Sequence, residues 1–343
     1  MQGQTVFVTG ATGLLGNNLV RQLLAEGASV RALARSAEKA RMQFADLAGA
    51  DLELVIGDLA DIKGFAANLR GVATLFHTAA YFRDSYKGGN HRKALISTNE
   101  AGTRQLIAAA YDAGIRRMVH TSSIAVLDGP RGALIDETMV RKRSDADDYY
   151  LSKILADEAV FDALGRWPDF HISLVLPAWM WGPGDAGPTS AGQTALDFLH
   201  RRLPGIPPAT FSFVDARDVA ATQIAAAKAG RRGERYLAAG RNMSLSELFP
   251  LLAQVSGVPA PNAKLPFWLL FVIAGLQESV SRLTGKPVLL SWAAVQNMAR
   301  ESGRTRFSSA KAEQELGLHF RPVTETLSDT VAWFRARGGG HGW

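Results

Sequence analysis

Residues 9 to 16, Thr9-Gly10-Ala11-Thr12-Gly13-Leu14-Leu15-Gly16, have the composition and spacing of a phosphate cradle. They follow a short apolar run and open a helical pattern. In that place Gly10, Gly13 and Gly16 permit a tight turn, close approach of backbone amides to a pyrophosphate, and close helix-to-sheet packing. Thr12, Leu14 and Leu15 share the turn, at a helix N-terminus whose unpaired N–H groups and positive dipole end favour phosphate. The spacing therefore predicts a bound dinucleotide. Its kind turns on the end of the second strand, Val30-Arg31-Ala32-Leu33-Ala34-Arg35-Ser36. NAD sites place an acid about 20 residues beyond the glycines for the ribose 2′-hydroxyl. Here no acid precedes Glu38, and Arg35, helped by Arg31 or Lys39, suits a 2′-phosphate. NADP(H) is favoured, with NAD(H) as the alternative. Asp58, beside Leu59 in Gly57-Asp58-Leu59, is either an acceptor for the adenine amino group or a loop cap.

These residues need a scaffold. Six short runs supply strands: Thr5 to Val8, Ala28 to Leu33, Leu52 to Ile56, Ala73 to His77, Arg117 to His120 and Ile172 to Leu176. Helical patterns at residues 14 to 26, 37 to 48, 98 to 113 and 150 to 164 alternate with them. Strands separated by helices predict an α/β fold with a doubly wound parallel sheet. After Pro177 the texture changes, as Gly and Pro crowd WGPGDAGP and LPGIPP. The expected division is a dinucleotide-binding domain at 1–176 and a smaller mixed substrate lobe at 177–210 and 239–343. Phe211 to Val214 and Arg235 to Leu237 are expected to return to the main sheet.

With these landmarks in place, the chain resembles an extended short-chain dehydrogenase/reductase of the NAD-dependent epimerase/dehydratase family. The resemblance spans nearly the whole length and rests on TGATGLLG, GDL, LFHTAA, TNEAGT, HTSSIAV and YYLSK, in that order. The VRALAR strand end and residues 265–287 are most similar to the dihydroflavonol-reductase-like and 3β-hydroxysteroid-dehydrogenase-like branch. The resemblance implies a catalytic Tyr149 and Lys153, four apart on one helix face. Tyr150 has Ile154 at that offset, which singles out Tyr149. A phenol is a poor base at neutral pH until an ammonium favours its phenolate, which explains the pairing. The resemblance also puts Lys153 on the nicotinamide ribose and Ser123 on the substrate oxygen, with Ser122 as the neighbouring alternative. It places His77, Ala79, Asn99, Pro177 and Met180 beside the cofactor. His77 is expected to be a buried, satisfied histidine and not a base. Asn99 is either a support for the site or an ordinary helix-entry residue. Tyr81, Trp179 and Trp181 are candidate substrate-pocket walls, with core packing as the rival for the tryptophans.

Three reactions fit this set. NADPH could reduce a carbonyl, or the reverse oxidation could occur, with the cofactor exchanging at each turnover. The same residues could epimerise or dehydrate a nucleotide sugar with a retained cofactor; Arg217, Arg304 and Arg306 are then diphosphate ligands or plain surface cations. A sensor of NADP(H) redox state would have no need of Ser123, Tyr149 and Lys153 together. Arg35 and the apolar stretch Leu265 to Leu276 favour a reductase with an apolar, ring-shaped small-molecule substrate.

Composition bounds the rest. The 343 residues are 47% hydrophobic and 20% charged, which excludes a disordered chain. The net charge of +6 is scattered, its longest cluster being Arg141-Lys142-Arg143, so no nucleic-acid partner is expected. There is no Cys, hence no thiolate metal site, and no metal is expected. The N-terminus lacks a signal-peptide pattern. Leu265 to Leu276 is shorter than the roughly 20 residues a membrane span needs. A cytoplasmic homodimer is expected, with that stretch as a buried helix, a dimer contact or a pocket wall.

Overall fold

The computed structural model describes residues 1–82, 91–284 and 291–338. β1 (Thr5–Thr9), β2 (Ser29–Ala34), β3 (Leu52–Ile56), β4 (Thr74–His77), β5 (Arg117–Thr121) and β6 (His171–Pro177) lie within a residue of the six predicted runs. Their core positions carry Val, Phe, Leu and Ile at near-zero exposure, as expected of strands buried on both faces. Between them run α1 (Leu14–Ala25), α2 (Ala37–Gln43), α3 (Arg92–Leu95), α4 (Gly102–Asp112) and α5 (Asp148–Arg166). Then follow β7 (Trp179–Trp181), α6 (Ser190–Leu199), β8 (Thr210–Asp215), α7 (Ala216–Ala229), β9 (Arg235–Ala238) and β10 (Arg241–Ser244). The rest is helical: α8 (Leu245–Ser256), α9 (Phe267–Thr284), α10 (Trp292–Glu301), α11 (Ala310–Leu316) and α12 (Val323–Gly338).

The main sheet has seven strands in the order β3-β2-β1-β4-β5-β6-β9, every pairing parallel. The winding reverses between β1 and β4. That switch point opens a crevice at the strands' carboxyl ends, where such sheets bind ligands.

One expectation needs correcting. Arg235 to Leu237 does join the main sheet, on β6, but Phe211 to Val214 does not. β9 takes the only free side of β6, so β8 pairs with β7 and β10 in a second, three-stranded sheet. That sheet packs its own core of Trp181, Phe198, Phe213, Phe249, Leu327 and Phe334.

Two helices differ from their predicted bounds in ways that matter to the site. The helix expected at 98 to 113 starts at Arg92 and widens into a π turn over Ile96–Ala101 before α4. Such wide turns recur at functional positions. α5 starts at Asp148, because the Asp147 carboxylate accepts the Tyr150 amide at 2.8 Å and caps it. Leu265 to Leu276 falls largely on α9, which buries Leu270 and Ala274 against Val295 of α10. Its other face exposes Trp268, Val272, Leu276 and Val280, so the helix is buried on one face only. Residues 285–287 of the branch-specific stretch lie outside the described residues. No described helix is long and apolar enough to cross a membrane.

Candidate active site

The glycine turn is built as a cradle. Gly10 has φ +65°, and a Cβ there would stand 2.7 Å from the Ala79 backbone nitrogen. A Cβ on Gly16 would run into the Gly10 carbonyl, and one on Gly13 would sit 3.3 Å from it. Gly13 is the N-cap of α1, and among the described residues no side chain bonds that helix end, which leaves its first-turn N–H groups for a phosphate. A side chain would fill this concavity, so the residues present fit a dinucleotide pyrophosphate.

Thr9, at the end of β1, ties the neighbouring strand end to the cradle. Its carbonyl accepts the Thr78 hydroxyl at 2.6 Å, and its Oγ1 accepts the Ala79 amide at 3.2 Å. Thr9 Oγ1 also bonds His77 Nδ1 at 2.8 Å, while His77 Nε2 bonds Thr103 Oγ1 at 2.9 Å. His77 is thus buried with both ring nitrogens occupied. Burial, aided by the Lys153 charge, pushes it down to about 3, so it is neutral at pH 7 and unsuited to act as a base.

Along β2 and just beyond it, the two arginines separate. Arg31 bonds Glu53, the Asn68 carbonyl and the Arg70 carbonyl, and is thereby committed. Arg35 is exposed and makes no hydrogen bond or ion pair among the described residues. Asp58 is exposed, with Oδ1 accepting the Ala60 amide at 2.9 Å, while Leu59 is buried in the core.

Beyond β4, Asn99 grips the loop. Its Oδ1 accepts the Tyr81 amide at 2.7 Å, and its Nδ2 donates to the Tyr81 carbonyl at 3.0 Å and to Ser152 Oγ at 2.9 Å. Ser152 Oγ in turn donates to the Tyr149 carbonyl at 2.7 Å. From the π turn over Ile96–Ala101, its polar atoms tie Tyr81 to the first turn of α5.

The structure brings Ser123, Tyr149 and Lys153 together at the head of β5. Ser123 caps a short turn, its Oγ accepting the Ala125 amide at 3.1 Å. Burial pushes the Tyr149 phenol up to about 12, and a hydrogen bond with the Ser123 hydroxyl works in the opposite direction. Lys153, one turn along α5, donates to the Thr121 carbonyl at 2.8 Å. Burial pulls its ammonium down to about 8, with Asp157 opposing. Of the two serines, Ser123 is the one hydrogen-bonded to Tyr149, while Ser122 is 2% exposed and lies beside Asp157. Tyr150 also separates from Tyr149: its hydroxyl accepts from Asn297 at 3.4 Å, and Arg141 lies 4.7 Å over its ring.

The candidate pocket walls divide. Tyr81 is half-buried, its hydroxyl 3.1 Å from His91 Nδ1. Trp179 packs on Phe211 with ring centroids 4.6 Å apart and donates to Ser190. Trp181 is 1% exposed and packs on Phe213, so it is a core residue and not a wall. Pro177 ends β6, and Met180 lies half-buried in β7. Phe82, which the sequence did not single out, packs its ring 4.8 Å from that of Tyr149. Only its nearness to the LFHTAA loop could have signalled it. Arg217 bonds both Asp215 and Asp329, Arg304 bonds Asp128, and Arg306 bonds the Gly132 carbonyl.

A doubly wound sheet with a glycine cradle at its switch point, beside a Ser, Tyr and Lys cluster, defines a nicotinamide-dinucleotide oxidoreductase. Residues 6–239 match the NAD dependent epimerase/dehydratase family model. The chain is 37% identical over 337 residues to sterol demethylase protein B of Methylococcus capsulatus, with 97% of this chain and 99% of that protein covered. It is 35% identical over 340 residues to a putative dihydroflavonol 4-reductase of Synechocystis sp., covering 97% and 95% of the two chains. The solved structure of gox2253 superposes with a TM-score of 0.81 at 33% identity, over 98% of this chain and 99% of that one. The chain belongs to the NAD-dependent epimerase/dehydratase family, and is an NAD(P)-dependent oxidoreductase of the extended short-chain type.

Proposed function

We propose that the protein is an NADPH-dependent carbonyl reductase that exchanges its cofactor at every turnover. The observation that carries this reading is the Ser123 to Tyr149 hydrogen bond with Lys153 one helix turn behind, at the strand ends flanking the glycine cradle. When bound, NADPH supplies the hydride. Gly10, Thr12, Gly13 and the first-turn amides of Leu14, Leu15 and Gly16 hold the pyrophosphate; Ala79 and Pro177 shape the cleft. Lys153 holds the nicotinamide ribose. Ser123 orients the substrate carbonyl, and Tyr149 gives its proton to the carbonyl oxygen as the alcohol forms. A phenol held near 12 is protonated throughout the neutral range, so Tyr149 carries the proton that reduction of a carbonyl needs.

Two observations favour reduction over sugar-nucleotide epimerisation. Arg35 is uncommitted at the place for a 2′-phosphate, whereas Arg217, Arg304 and Arg306 already have protein partners. We place substrate binding on the lobe built around β7, β8 and β10, with Tyr81, Trp179 and Met180 as walls. The relatives named for a sterol and a dihydroflavonol support an apolar, ring-shaped substrate.

NADPH should bind at least about tenfold more tightly than NADH, since a charge-assisted bond from Arg35 contributes roughly 1.5 to 3 kcal/mol. Titration of both cofactors measures this; equal affinities, or an unchanged preference in Arg35→Ala, would make Arg35 a solvated strand end. The native protein should also purify with little bound dinucleotide and consume NADPH stoichiometrically with a cyclic ketone. Stoichiometric retained cofactor, with interconversion of two sugar nucleotides and no net NADPH loss, would move the assignment to an epimerase.

A further inference from the structure

Charge is buried beneath the cleft, on the sheet face that α5 covers. Lys153 and Asp157 are four apart on α5 and 3% and 2% exposed, so both side chains lie on one helix face, away from water. Asp157 Oδ2 stands 3.4 Å from Arg235 Nε of β9, and Oδ1 stands 3.7 Å from His120 Nε2 of β5. Neither Oδ1 nor either His120 ring nitrogen has a hydrogen-bond partner among the described residues. Arg235 and Ser122 act on this carboxylate, yet Oδ1 stays unpartnered, so the charge is buried at a desolvation cost.

The groups facing this pair can be named element by element. β4 presents His77, β5 presents His120 and Ser122, β9 presents Arg235, and α5 itself presents Tyr149. Asp147 acts on Tyr149 from the helix cap. The two imidazoles lie tilted to each other in adjacent strands, ring centroids 5.4 Å apart, and burial keeps both neutral. Asp157 is therefore the carboxylate of the set. Burial pushes its own carboxyl up, and the Arg235 guanidinium works against that.

We infer that Asp157 is a positioning residue for Lys153: from one helix turn behind, it supplies the buried negative charge that keeps the Lys153 ammonium protonated at the mouth of the cleft. The inference rests on the proposed role of Lys153 at the cofactor ribose. The sign follows from linkage. A lysine loses its charge as pH rises through its pKa, and burial already draws that point down to about 8. Removing the carboxylate draws it lower still. The cofactor then loses its ammonium contact at a pH where the native protein retains it.

The test needs only the cofactor. NADPH affinity is measured by fluorescence titration of the full chain between about pH 6.5 and about pH 9.5, in the native protein, Asp157→Asn and Lys153→Met. Native affinity should begin to weaken near pH 8, the weakening in Asp157→Asn should begin about one pH unit lower, and Lys153→Met should lack this limb. Asp157→Glu, which keeps the charge, should restore the native profile. A native profile in Asp157→Asn overturns the inference and leaves the reductase reading standing. Failure of the native chain to bind either nicotinamide dinucleotide at any pH sinks that reading, and the inference with it. Thermal melts check each variant; if Asp157→Asn does not fold, the smaller Asp157→Ser carries the same two outcomes.

Discussion

Tyr149→Phe should lose about a thousandfold in kcat while binding NADPH within about twofold of the native protein. General acid catalysis contributes roughly 10²- to 10⁴-fold, and this change removes only the proton that the carbonyl oxygen must receive. The ring stays, with its packing against Phe82 and the helix turn that carries it. Lys153 keeps its bond to the Thr121 carbonyl, so the group proposed for the ribose does not move. Tyr150→Phe is the internal control. Its hydroxyl accepts from Asn297, and its removal should leave kcat within about threefold, the scale of one weak hydrogen bond. Steady-state kinetics with a cyclic ketone and cofactor titration on both variants provide the measurement. An essential Tyr150 with a dispensable Tyr149 would place the acid one residue along the helix and undo the proposed chemistry.

Much of this site was legible because its signals are local. The glycine turn is read within eight residues, and the spacing of Tyr149 and Lys153 within five. The parallel strands announce themselves as unbroken apolar runs because both of their faces are buried. What escaped depends on partners far away in the chain. β8 has the sequence of a strand, but its destination was decided by β9 occupying the side of β6. Trp181 is chemically a good pocket wall, and only its packing on Phe213 makes it core. Asn99 sits in a wide turn that no periodicity reveals, and it spends its amide on a backbone 18 residues earlier. Arg31 and Arg35 read alike as strand-end cations; Glu53 on the neighbouring strand tells them apart. The buried His120 and Asp157 look from sequence like an ordinary strand residue and an ordinary helix residue.

Gly10→Ala should weaken NADPH binding about a hundredfold, or about 2.7 kcal/mol. Two effects contribute, and they can be separated. At φ +65° any Cβ costs about 1 to 2 kcal/mol of backbone strain. Gly3, at φ +70° with nothing within 4 Å of where a methyl group would stand, carries the strain alone, so Gly3→Ala should lower the melting temperature and spare affinity. At Gly10 the methyl also meets backbone, at 2.7 Å from the Ala79 nitrogen and 2.8 Å from its Cα. That loop cannot simply retreat. Thr78 and Ala79 are bonded to Thr9, and Tyr81 is held on both backbone groups by Asn99. Displacing Ala79 therefore disturbs the cradle on one side and Phe82 against Tyr149 on the other. Cofactor titration and thermal melts on Gly10→Ala and Gly3→Ala decide it. Native affinity in a folded Gly10→Ala protein would mean that the dinucleotide does not lie in this cradle, and the assignment of every residue placed around it would fall.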